Sequence, residues 1–208
     1  MHGRQFSQRT RPNSPASGFS FTNSMRRLCA DAVARLPALG HIDLAHVAIS
    51  FAQTRKRTAH GMYASLTPMR FAGGSLTCRR RTRTYAIQRL YDAQGREILY
   101  ILTFYLPRFM DLGFREKLIT TFHELWHIGP AFDGDLRRHP GRCYAHTHSQ
   151  KAYDAEMDLL ARQYLSAAPP VEVYGFLQGN FNDLLAQHGR VYGTKIRRPR
   201  LLSAAEIS

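Results

Sequence analysis

His123-Glu124-Leu125-Trp126-His127 is the stretch from which the rest of the chain is read. On an α-helix, residues four apart lie on one face about a turn apart, so His123 and His127 can offer two imidazole nitrogens to one metal ion. Glu124, one residue on from the first histidine, flanks such an ion and is placed to take a proton from water. The chain has 10 histidines in 208 residues. At this composition the HExxH pattern arises by chance about once in seventy chains. A metal site is therefore preferred over a core helix that happens to carry two histidines.

The neighbouring residues strengthen that choice. Leu118, Phe122 and Leu125 recur at helical spacing, with Ile119 and Trp126 beside them, so the helix is apolar around the motif. Buried imidazoles and a buried carboxylate need partners, and a zinc ion would satisfy all three. Asp111 or Gly113 is expected to cap the helix, with Glu116 in its first turn, and Gly129-Pro130 to end it.

Outward from the motif, the apolar run Ile98 to Leu106 reads as a buried strand closed by Pro107. Val47, Ile49 and Phe51 alternate as a second strand, and Met62 to Phe71 is a third, broken by Pro68. Leu76 to Leu90 reads as one basic strand, followed by a hairpin turn over 91–96. A first helix, capped by Asn23 or Ser24, runs to about Leu36. A later one starts after Ser149 and runs to about Ser166, and a last one covers about Val173 to Gln187. The expected fold is α+β: a small antiparallel sheet packed beside the HExxH helix and a following ligand-bearing helix. Residues 1–22 read as a disordered basic tail, 23–190 as one domain, and 191–208 as a basic C-terminal arm.

The net charge is +14 and the pI about 10.3. Such a surface favours polyanions, nucleic acid first. The residues expected to meet phosphates are Arg79, Arg80, Arg81 and Arg83, with Arg197 and Arg198 in the C-terminal arm. Three cysteines without CxxC spacing argue against a disulfide framework and for a reducing compartment, cytoplasmic and in reach of the nucleoid. No run of 18 apolar residues occurs, so no membrane partner is expected.

A catalytic zinc takes three protein ligands and leaves one position open. His148 stands directly before a helix that Ser149 can cap. His146, two residues earlier, would point the other way in an extended segment. Asp133 lies six residues after His127, and Glu156 could bring a carboxylate from the later helix. Asp133 and Asp135 are also placed to orient ligand histidines through their second ring nitrogens.

The order of these features resembles the SprT-like zinc metallopeptidase family over about residues 41 to 166. The likeness is carried by Ile98 to Tyr105 leading into the motif, by Phe132-Asp133-Gly134-Asp135, and by His148 ahead of Tyr153-Asp154. The resemblance implies a zincin fold, His148 as third ligand, and peptide-bond hydrolysis by a zinc-activated water with Glu124 as general base. Two departures stand out: Ser149 follows His148 where the family has glycine, and the family's CxxC pairs are absent. The rival expectation is a non-catalytic nucleic-acid-binding protein stabilised by a structural zinc.

Overall fold

The computed structural model describes residues 18–54, 61–138, 150–203 and 206. In chain order it runs β1 (Phe19–Ser20), α1 (Phe21–Arg35), β2 (Val47–Gln53), β3 (Ala64–Pro68), β4 (Thr77–Arg80), β5 (Arg83–Ile87) and β6 (Tyr100–Leu106). There follow α2 (Phe114–Trp126), α3 (Gln150–Ser166), α4 (Val171–Tyr174), α5 (Phe181–His188), β7 (Val191–Tyr192) and β8 (Leu201–Ser203). The fold is α+β.

The apolar run before the motif, β6, is the central strand of a three-stranded sheet ordered β2-β6-β3. Its alternation sorts two cores. Tyr100, Leu102, Phe104 and Leu106 join the main core, as do Val47 and Ile49 of β2. Ile101 and Ala48 face a second, smaller cluster with Met69, Leu90 and Ile98. The helices supply the main core: Met25 and Leu28 from α1, Leu118 and Phe122 from α2, Met157 and Tyr164 from α3. α2 lies between β3 and α3. Its Phe122 ring meets Tyr164 edge-on at 5.4 Å, and Arg115 reaches Asp158 of α3 at 2.6 Å.

The sheet is mixed, which corrects the antiparallel expectation. β3 pairs with β6 antiparallel, Leu66 opposite Leu102, but β2 pairs with β6 parallel, Val47 opposite Tyr100. Alternation identifies a strand; its direction depends on which distant segment it meets. The basic stretch is also two strands, β4 and β5, joined by a two-residue turn at Arg81-Thr82. Arg81 takes φ 54° there, a left-handed conformation uncommon outside glycine.

Residues 18–22 and 191–203 are built into the fold, and residues 1–17 of the expected tail lie outside the described residues. Phe21 is fully buried, β1 pairs with β7, and α1 starts at Phe21, earlier than the expected cap. The stretch expected as a basic arm instead crosses β2, where Phe51 N donates to Thr194 O (3.0 Å) and Ile196 N to Ser50 Oγ (3.0 Å). It then adds β8 to β5. The last expected helix is split, because Asn180 starts α5 afresh by accepting from the amides of Asn182 and Asp183. No helix among the described residues is long and apolar enough to cross a membrane.

Candidate metal centre

α2 begins at Gly113, whose amide donates to Glu116 Oε2 at 2.9 Å. It buries one face through Lys117, Leu118, Thr121, Phe122 and Leu125. Lys117 is 1% exposed and donates to the carbonyls of Leu177 (2.9 Å) and Gly179 (2.6 Å), which ties the helix to the turn before α5. With that face pinned to the core, His123, Glu124 and His127 are left half-buried on the adjoining face.

The two histidines converge. His123 Nε2 and His127 Nε2 lie 2.9 Å apart, their rings at 78°, close enough to share one proton or one metal ion. Zinc bonds imidazole nitrogen at about 2.0–2.1 Å, so one ion bound to both would see them about 90° apart, a modest opening short of the tetrahedral angle. The negative end of the α2 dipole also lies here, which favours a cation. The pair could supply two of the three protein ligands that a catalytic zinc takes.

Glu124 points at the sheet. Burial pushes its carboxyl up to about 7, against the pull of the Leu66 amide that donates to it. A dication beside it would draw the value down again. The register of β3 explains why that amide is available. Tyr105 N donates to Tyr63 O and Met69 N to Leu99 O, so the odd-numbered residues of this segment bond inward to β6 and Leu66 turns its N–H outward. Pro68, which has no N–H, shares the outward parity. Among the described residues β3 has no second strand partner, so Glu124 lies against an open sheet edge.

Beyond α2 the chain folds back in a tight loop. Ile128 bridges Leu136, and Gly129 N donates to Asp135 O (3.3 Å). Tyr100 Oη donates to that same carbonyl (2.9 Å) and accepts from Gly134 N (2.9 Å). Gly134 has φ +90°, and a Cβ there would run into the side chain of Arg70. The Asp135 carboxylate accepts from Gly73 N (2.9 Å), Leu136 N (2.9 Å) and Arg138 Nε (2.7 Å). Burial raises its pKa, but these donors outweigh burial and hold it below the usual range. Asp133 Oδ1 accepts from Asp135 N (3.0 Å). These bonds pin the loop to itself and to Gly73.

Among the described residues no third His, Cys, Asp or Glu joins His123 and His127 in a metal-binding group. Asp133 is engaged in its turn, and Glu156 is exposed on α3. The expected third ligand His148 and its neighbour His146 lie outside the described residues. Arg79, Arg80, Arg81 and Arg83 are all exposed around the β4–β5 turn. Arg197 and Arg198 are exposed too, but they precede the β8 residue that pairs with Ile87, at the far end of β5. At about 3.4 Å per residue that is roughly 14 Å from Arg83.

Sequence reasoning missed Leu66, Arg137 and His41. His41 Nε2 lies 3.3 Å from Ile128 O, directly after the motif. Nothing local marks these residues, since each meets the motif from a different part of the chain. Comparison with protein-family models, with curated proteins and with solved structures gave no match to this chain.

Proposed function

We propose that the protein is a zinc-dependent peptidase of the SprT-like kind. The observation that supports this best is the meeting of three things at one place: two convergent imidazole nitrogens, a carboxylate, and the outward amide of a strand with no second strand partner among the described residues. His123 and His127 would hold the ion, with His148 as the expected third ligand. When bound, zinc supplies Lewis acidity that polarises a carbonyl and makes a water more acidic. Glu124 takes the proton from the attacking water and passes it to the leaving amine. With the Leu66 amide turned to Glu124 and none on Pro68, the edge of β3 offers an extended peptide its outward carbonyls and the Ala64 amide, which lays the scissile bond beside Glu124.

The decisive experiment is Glu124→Gln, which keeps the shape and removes the base. The variant should retain one zinc per chain and the parent's far-UV spectrum while losing cleavage of an unstructured casein-type substrate. Loss of zinc would make Glu124 a ligand, and parent-like cleavage would discard the mechanism.

One observation favours a rival. Arg79, Arg80, Arg81 and Arg83 have no acidic partner among the described residues. In that reading zinc is structural and the hairpin binds nucleic acid without catalysis. A parent protein that holds zinc, binds oligonucleotides and cleaves nothing would establish the rival. In the peptidase reading the same hairpin brings the enzyme to DNA or another polyanion, in the cytoplasm near the nucleoid.

A further inference from the structure

We infer that Arg137 is a positioning residue for His127: through its side chain and its own amide it fixes both peptide planes flanking that histidine. The inference rests on reading His123 and His127 as metal ligands and adds a residue that the motif does not contain.

The argument starts from where α2 stops. Trp126 is its last residue and His127 its C-cap, with φ −66° and ψ −14°. His123 sits inside the hydrogen-bonded helix and inherits its geometry. His127, at the cap, has its amide 3.3 Å from His123 O. The last carbonyls of a helix have no intrahelical donors and must find them elsewhere. Here Arg137 Nε donates to Trp126 O at 2.7 Å, and Arg137 N donates to His127 O at 2.8 Å. The first carbonyl belongs to the peptide plane that sets φ of His127, the second to the plane that sets ψ.

One residue therefore locks the backbone on both sides of the His127 Cα, and with it the direction of the imidazole. The guanidinium also lies over the Trp126 indole, 4.0 Å from its centroid, so its own position is constrained. Arg137 is held in turn by the Ile128–Leu136 bridge and the Asp135 contacts next to it. A metal-binding nitrogen displaced by more than about 0.2 Å falls outside normal coordination geometry. The backbone lock therefore bears on affinity as well as on folding.

The test compares substitutions that differ in one atom's chemistry. Glutamine places its amide nitrogen where arginine has Nε, so R137Q keeps the donor and loses the charge. R137M puts a methyl group at that point. R137K keeps the charge but puts a methylene there. Zinc affinity is measured by competition with a chromophoric chelator, and ligand geometry by the visible absorption of the cobalt-substituted protein. R137M should bind zinc about 10–100-fold more weakly with an altered cobalt spectrum, R137K should follow it, and R137Q should stay close to the parent. If R137M fails to give the parent's far-UV spectrum, R137K carries the comparison.

Parent-like affinity and cobalt spectra in the donor-lacking variants would overturn the inference. So would equal weakening in R137Q, which would assign the effect to charge. A parent protein that binds no metal would instead overturn the underlying ligand reading, and this inference with it.

Discussion

Tyr100 Oη donates to the carbonyl of Asp135 at 2.9 Å and so ties the central strand to the loop that leaves the HExxH helix. The same hydroxyl accepts from Gly134 N at 2.9 Å, and Tyr100 is fully buried. Tyr100→Phe leaves a buried donor and a buried acceptor short of a partner, at about 1–3 kcal/mol for such a group. Urea denaturation should report a loss in that range with an unchanged slope. An unchanged midpoint would show that the loop is held without the hydroxyl.

Acid should loosen the same region. Glu97 accepts from Arg70 (2.5 Å) and Arg89 (2.7 Å). Burial raises its pKa, yet the two arginines outweigh burial and bring it below its ordinary value of 4.5; Asp135 lies below 3.8 for the corresponding reason. A carboxylate whose pKa is depressed by folding contributes stability that is present above its unfolded value and lost as pH falls through the folded one. Stability should therefore hold down to about pH 4.5 and decline below it. Asp135→Asn should flatten that decline, and a parallel pH profile in the variant would remove Asp135 from the account.

The described thiols should differ in reactivity. Cys29 is fully buried in α1, and burial pushes its pKa up to about 12, whereas Cys78 is half-exposed on β4. Only thiolates react readily. Iodoacetamide at pH 8 followed by peptide mapping should find Cys78 modified in the native protein and Cys29 only after denaturation. Early labelling of Cys29 would mean that α1 opens on its own.

Arg80 and Arg83 face one another across the β4–β5 ladder, a like-charge pairing that costs stability unless an anion compensates it. Replacing Arg79, Arg80, Arg81 and Arg83 with alanine should lower the salt dependence of oligonucleotide binding. Each lost phosphate contact removes about 0.9 from the log–log slope on duplex DNA. Arg197→Ala with Arg198→Ala serves as the comparison from the far end of β5. An unchanged slope in the hairpin variant would exclude the hairpin as the phosphate-binding element.

For the third ligand, His148→Ala should release zinc to a competing chelator far more readily than His146→Ala, whose loss should cost only about 10–100-fold. Asp133→Ala and Glu156→Ala should hold zinc like the parent, since neither side chain joins the histidine pair among the described residues. Release of zinc by either control would reassign the ligand.

Local chemistry was enough for much of this protein. The HExxH helix, its Gly113 start, the buried face through Leu118, Phe122 and Leu125, and the apolar strand before it all follow from periods of 3.6 and 2 and from capping residues. Such signals depend on neighbours within a turn or two of chain. They also place His123, Glu124 and His127 together, because one helix turn brings them together.

Only tertiary structure decided the rest. The parallel pairing of β2 with β6 joins segments some fifty residues apart, for which side-chain alternation carries no directional information. The C-terminal stretch reads as a charged arm from composition. Its backbone nevertheless adds β8 to β5 and bonds to Phe51 of β2, since main-chain bonds need no apolar pattern. The partners of the motif are decided in the same way. The Leu66 amide reaches Glu124 because of the register of β3, and Arg137 reaches Trp126 and His127 because the loop folds back, two long-range alignments with no local signature.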